Sequence, residues 1–385
     1  MTKSALVLML GVLSAFAFWV QGEVSRGTFD PVERAFVSWL AANVGKGVDL
    51  PALTLVLYDD ESSELAGSHK MAVLDGALFA RAASHIGAVA VGIEGLPDNP
   101  GRMIDAAGKT QIFGGYAWQN PPSAGWTPLA GTAGGGWREI PGLAGPATAR
   151  FTRGFASIPA GAAGPRSILL VARNGDHAVP SFLALAWAAA QRSRLAEISV
   201  EPGSLRSPRH SLPFDSRGEA RFFPDSSPLI MTMSDLLVAS EKFEREGGSP
   251  PLRGRLVVLV PATSDTPRLR AQEGETPVTP AELWAQSWEA VRRGCLFLLP
   301  GPWYPVVLSL VSFLLAIGPA RRSSFTTAMA GLFCLMIYLL VALAVFASRG
   351  ILLPFAPSVL SLGAGLALGR TAQVSGWLGA KDLPL

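Results

Sequence analysis

The stretch LTLVLYDDES, Leu53 to Ser62, decides the fold. Leu53, Leu55, Val56 and Leu57, with one threonine, run into Tyr58, and then Asp59, Asp60 and Glu61 follow in a row. A near-continuous apolar run is the pattern of a strand covered on both faces, which belongs to a parallel sheet. Beyond it, Met71, Leu74, Leu78, Ala82 and Ile86 recur at helical spacing, and AVAVGI, Ala88 to Ile93, forms a second buried strand. Together they predict a βαβ unit.

The same alternation continues. SILLVA, Ser167 to Ala172, predicts a further strand, and PSFLALAWAAAQ, Pro180 to Gln191, a helix apolar nearly all round. RLVVLV, Arg255 to Val260, predicts the last strand. Thr279-Pro280-Ala281-Glu282 has the form of a capping box with proline at the first helical position, and Trp284, Trp288 and Val291 follow on one face. Residues 94–150 are rich in Gly, Pro and Trp and predict long loops with one strand near TQIFGG. The fold class is α/β, with a mainly parallel sheet and helices on both faces.

The composition adds a membrane. Of 385 residues, 49% are hydrophobic and only 16% charged, and the mean hydropathy is +0.33. Soluble chains carry about 25% charged residues. The net charge of +3 and the lack of a basic stripe exclude nucleic acid as a partner. Four apolar runs predict four transmembrane helices: Ser4 to Val20, Trp303 to Ala320, Phe325 to Ser348 and Ile351 to Gly369. Pro354 and Pro357 predict a kinked or weak last span. Lys3, the Arg321–Arg322 pair, Arg370 and Lys381 place both termini in the cytoplasm, with only Arg349 on the other side. Ala15-Phe16-Ala17 also fits the cleavage site of a signal peptide, against which the apolar run continues through Val20.

The division that results is an N-terminal anchor over 1–21, an extracytoplasmic domain over 22–302, three spans over 303–370 and a short cytoplasmic tail over 371–385. The protein would lie in a bacterial cytoplasmic membrane in contact with lipid. Gly363, Ala364, Gly365 and Gly369 offer a face for close helix packing, either within this bundle or against a second copy of the chain.

Chemistry is sparse. Cys295 and Cys334 have no ligand spacing and read as small hydrophobes. His69, His85, His177 and His210 are scattered, and no metal site, cofactor site or catalytic set is expected. GKT, Gly108 to Thr110, resembles the end of a P-loop, but Met103 stands where the motif needs glycine. GTAGGG, Gly131 to Gly136, leads into Trp137 rather than a helix. The candidate site is therefore acidic. Ligands of open α/β sheets gather beyond the carboxyl ends of the strands, and Asp59, Asp60 and Glu94 stand at such ends, on two strands expected to be neighbours. These acids either bind a small polar ligand or cation, or cap the loops and solvate the sheet edge.

Several stretches resemble the type-2 CHASE domain, an extracytoplasmic sensor module of bacterial cyclases and kinases. They are LYDDES (57–62), HIGAVAVGIE (85–94), PSFLALAWA (180–188), LPFDSRGEARFFP (212–224), MSDLL (233–237), LRGRLVVLVPATSDT (252–266) and TPAELWAQSW (279–288). In the family these correspond to a strand ending in acids, a helix and second strand, a buried helix, a Pro-Leu-Asp-x-x-Gly hairpin, a turn, a last strand and a helix. This chain departs from the pattern at AGSHKM (66–71), at Pro261 in place of glycine and at Trp284 in place of histidine. The resemblance implies a sensor of an unknown extracytoplasmic ligand or envelope partner. No output domain follows the last span, so signalling would pass to a separately encoded kinase or cyclase, and the chain itself is not expected to be an enzyme. A scaffold with a degenerate sensor domain is the alternative.

Overall fold

A computed structural model describes residues 15–16, 19–24, 26–44, 50–62, 73–94, 101–117, 122, 126–142, 145, 151–156, 166–193, 195–224, 229–261, 280–299, 301, 304–317 and 324–374. The chain forms two compact units, one from 1–46 with 297–385, the other from 47–296.

The second unit is α/β. Six strands form one parallel sheet: β1 (Leu53–Tyr58), β2 (Ala90–Glu94), β3 (Gln111–Ala117), β4 (Phe151–Ala156), β12 (Leu229–Thr232) and β13 (Leu256–Pro261), in the order β12-β1-β13-β2-β3-β4. The expected βαβ unit is present, but its two strands are not neighbours. β13 lies between them, pairing Leu57 with Val260 on one side and Leu259 with Ile93 on the other.

Both faces of the central strands β1, β13 and β2 are covered, which is why these are apolar almost throughout, while the edge strand β12 leaves Leu229 and Ile230 exposed. Val56, Tyr58, Val91, Ile93, Val257 and Leu259 point to the layer of α2 (Val73–His85), α3 (Gly101–Ala107) and α5 (Met233–Glu246). Leu55, Ala90, Val258 and Val260 point to the layer of α4 (Phe182–Ala190) and α6 (Pro280–Arg292). α4 is buried over its whole length, as its all-round apolarity requires. Its N-cap is Ser181, whose hydroxyl accepts the Ala184 N–H. On α6, Trp284, Trp288 and Val291 are buried as expected, and the Trp288 indole donates to the Pro51 carbonyl at the start of β1. Thr279 of the expected capping box lies outside the described residues. The buried face of α2 is turned from the expected one: Phe79, Ala82, Ala83 and Ile86 are inside and Leu78 is exposed.

Other local expectations change. SILLVA is not one strand of the main sheet. It breaks at Leu170 into β5 (Arg166–Leu169) and β6 (Val171–Asn174). β6 pairs antiparallel with β7 (His177–Pro180) and β5 with β11 (Glu219–Phe222). β8 (Ser199–Glu201), β9 (Ser204–Arg206) and β10 (Ser211–Pro213) form a further small sheet. The LPFDSRGEARFFP segment is a tight turn rather than a hairpin, because β10 pairs with β9 while β11 pairs with β5. Asp215 closes the turn by accepting the N–H groups of Arg217 and Glu219. Gly218 there has φ +82°, and a Cβ at that position would strike the Val171 carbonyl oxygen. Gly218→Ala is expected to destabilise the α/β unit by about 3 kcal/mol, read as a fall in urea midpoint at unchanged slope. A fall under about 1 kcal/mol would show that the turn relaxes. MSDLL opens α5 rather than a turn: Thr232 caps it and forms a reciprocal capping box with Asp235.

The first unit is helical. α1 (Asp30–Val44), α7 (Tyr304–Ile317), α8 (Ser324–Arg349) and α9 (Phe355–Val374) belong to it. Among the described residues one helix segment, Thr327–Arg349, is long and apolar enough to cross a membrane, and Tyr304–Ala316 is a shorter apolar helix. The four expected spans are thus not shown; the first falls largely outside the described residues. α9 starts after Pro354, with Pro357 in its first turn, where no intrahelical N–H bond is lost, so the proline pair sets a helix start and not a kink.

Candidate functional site

The strand order at the carboxyl end of the parallel sheet separates Glu94 from Asp59 and Asp60 instead of joining the three. Asp59 immediately follows β1 and caps the helical turn that begins at Asp60. Its Oδ1 accepts both the N–H (2.9 Å) and the hydroxyl (2.6 Å) of Ser62. That is the local capping role a strand end followed by Asp-x-x-Ser dictates. Tyr58, just before it, is buried and donates to Asp75 Oδ2 at 3.4 Å.

Glu94 stands elsewhere. With β13 interposed, β2 lies two strand spacings from β1, about 10 Å. One step beyond the Leu259–Ile93 pair, Glu94 is level with Val260, and it pairs with Gly115 of β3, which pairs with Gly154 of β4. Strand alternation sends its side chain to the α4–α6 layer, since Val91 and Ile93 face the other way. The glycines of this row make room for α4. A Cβ on Gly115 would meet the Phe182 ring at 2.9 Å, and one on Gly154 the Pro180 carbonyl oxygen at 2.6 Å. Phe182 in turn lies against Trp284 of α6, with ring centroids 5.3 Å apart.

Glu94 is thus the acid at the rim of an aromatic layer. Burial pushes its carboxyl up to about 7, with no compensating hydrogen bond or cation among the described residues. In the same layer the Trp284 indole N–H is buried and has no acceptor among the described residues. A carboxyl that is half neutral near pH 7 both donates and accepts. Such a carboxyl suits a small polar guest better than a hard cation, which would hold it ionised. Among the described residues no three His, Cys, Asp or Glu side chains gather as metal ligands.

No known protein family, curated protein or solved structure matches the chain.

Sequence reasoning found Glu94 but missed the aromatic layer of Phe182 and Trp284 on that face of the sheet. The signal was present in the strands as glycine. Gly92, Gly115 and Gly154 interrupt otherwise β-forming runs, which marks a close approach of another element. The GTAGGG loop is filled by the protein itself: a Cβ on Gly131 would meet Val200, and one on Gly134 the Trp137 indole.

Proposed function

We propose that the chain is a membrane-anchored sensor of the type-2 CHASE kind, its α/β unit outside the cytoplasm, its four apolar runs in the membrane and its output passed to a separately encoded kinase or cyclase. The observation that carries this reading is the division of the chain. The α/β unit is one uninterrupted stretch, 47–296, and the segments before and after it cluster together in the helical unit. That helical unit contains α8, of whose apolar window only 17% is buried, unlike the core helix of a soluble protein. Phe325, Leu332, Phe333 and Leu340 all stand exposed along it, as a lipid-facing helix requires. The Glu94 region supports a binding role over a catalytic one, because it offers a buried carboxyl beside an aromatic layer, and no cluster of metal ligands forms among the described residues.

The test has two parts. With Cys295 and Cys334 replaced by serine, Ser216→Cys on the exposed turn of the α/β unit should react with a membrane-impermeant maleimide in intact cells, and Lys381→Cys should not. Reaction at Lys381→Cys alone would reverse the orientation and remove the sensor from the outside. Crosslinking in native membranes followed by mass spectrometry should then enrich a kinase or cyclase over a topology-matched control. Enrichment of envelope proteins alone would turn the reading toward a scaffold.

A further inference from the structure

The GKT segment, which is no P-loop, lies at a place the sensor reading does not use. At the opposite end of the sheet, where β2, β3 and β13 begin, a cleft of about 530 Å³ opens between the amino ends of the strands and the end of α4. Lys109, Arg192 and Arg253 line it, each from a different connection, with Ala88, Val89 and Ala189 as its apolar wall. Among the described residues no carboxylate lines this cleft. Among the described residues none of the three cations forms an ion pair. Helices α2, α3 and α4 end at this cleft, and each carries about half a negative charge at its terminus. Three full positive charges outweigh them.

Arg192 supplies a second, independent observation. It has φ +55° and is the one non-glycine residue with positive φ among those described. It directly follows the C-cap Gln191 of α4, the position where glycine is the ordinary occupant. The chain accepts left-handed backbone there and places a guanidinium at the cleft. Planar guanidinium forks match the oxygens of a phosphate group, and lysine adds a point charge.

We propose that this cleft binds a small phosphate-bearing molecule, held by Arg192, Arg253 and Lys109, at a site separate from the Glu94 region. Its volume exceeds that of inorganic phosphate, and the apolar wall would take the body of a phosphomonoester or diphosphate.

The probe is pyrophosphate, added to the full chain in neutral detergent at constant ionic strength, with thermal unfolding as the readout. Saturable stabilisation is expected at or below about 10 mM, since a ligand that binds only the folded state raises Tm in proportion to the logarithm of its excess over Kd. Arg192→Gly should leave the unliganded Tm equal or higher, because glycine relieves the positive φ, and should raise the half-saturating concentration about tenfold or more. The triple variant Lys109→Gln, Arg192→Gly, Arg253→Gln should lose the response. A shift produced only by phosphatidic acid in nanodiscs, and lost in Arg192→Gly, also sustains the site and assigns the phosphate to a lipid headgroup. No shift with either probe overturns the proposal, as does an equal shift in wild type and triple variant.

Discussion

Glu94→Gln is expected to raise the stability of the α/β unit by roughly 3 kcal/mol at pH 8 and to leave it nearly unchanged at pH 4. The carboxyl has a folded pKa of about 7 against an ordinary value of 4.5, and burial is the cause. Between and above those values the folded state binds more protons than the unfolded state. Stability tied to this group is therefore fully present below pH 4.5, declines as the pH rises from there, and is lost once the pH has passed about 7. Each pH unit of such a rise is worth about 1.4 kcal/mol, which sets the size of the effect. Glutamine keeps the shape and cannot ionise, so it removes the decline. Urea unfolding of the full chain, followed by the tryptophan emission of the α/β unit, measures it. A variant whose pH profile runs parallel to wild type from pH 4 to 8 would mean that Glu94 is solvated or paired in solution, and the aromatic layer would lose its claim to be a binding region.

The same substitution separates the two readings that the sequence left open for its acids. Asp59 is occupied by the N–H and hydroxyl of Ser62, which is capping. Glu94 has burial and, among the described residues, no such compensation. One of the three acids is thus a local structural device and another is a functional candidate, and nothing in LYDDES or VGIE could tell them apart. The difference arises from strand order. β1, β2 and β13 are nearly equivalent apolar runs, and parallel partners are joined only by long crossovers, so no turn chemistry fixes which strand lies beside which. A reader of the sequence places β1 beside β2; the structure threads β13 between them.

What was legible was legible for a physical reason. α4 and the central strands β1, β2 and β13 are buried on nearly every side, so composition alone marks them, whereas β4, with Thr152, Arg153 and Gly154, and the half-exposed edge strand β12 were not read. α2 was found as a helix with its face misjudged, because Leu78 and Phe79 are adjacent and either could begin an apolar stripe. SILLVA failed because both halves are apolar, and the break at Leu170 is set by its N–H bond to the Gly218 carbonyl, a contact from a distant turn. α1 was not read at all. Its exposed Trp39 and Val32 blur the stripe formed by Phe36, Val37, Leu40 and Ala41.

That unread helix carries the second large effect. Glu33 of α1 is buried, and its Oε1 accepts the Ala356 N–H in the first turn of α9 at 2.7 Å. Phe36 packs on Phe355 with ring centroids 4.6 Å apart, and the Tyr338 hydroxyl of α8 donates to the Pro354 carbonyl at 2.7 Å. One carboxylate thus caps a helix more than three hundred positions away in the chain, tying α1 to α9. Burial pushes this carboxyl up to about 7, against the pull of its bond to Ala356, and Oε2 has no partner among the described residues. The sign is the same as for Glu94: the folded pKa is raised, so this stability is present below pH 4.5 and lost as the pH rises through about 7. Glutamine and alanine then part company. Glu33→Gln retains an oxygen to accept the Ala356 N–H while abolishing the ionisation, and should stabilise the helical unit at pH 8 by up to roughly 3 kcal/mol. Glu33→Ala abolishes the ionisation but orphans a buried N–H at a cost of about 1–3 kcal/mol, so at pH 4 it should be the weaker of the two by about that amount. Hydrogen exchange at the Ala356 amide in the full chain reads the cap directly. Protection should hold in Glu33→Gln and collapse in Glu33→Ala. Equal protection in both would mean that α9 starts without help from α1, and that the tie between the two helices rests on Phe36 and Phe355 alone.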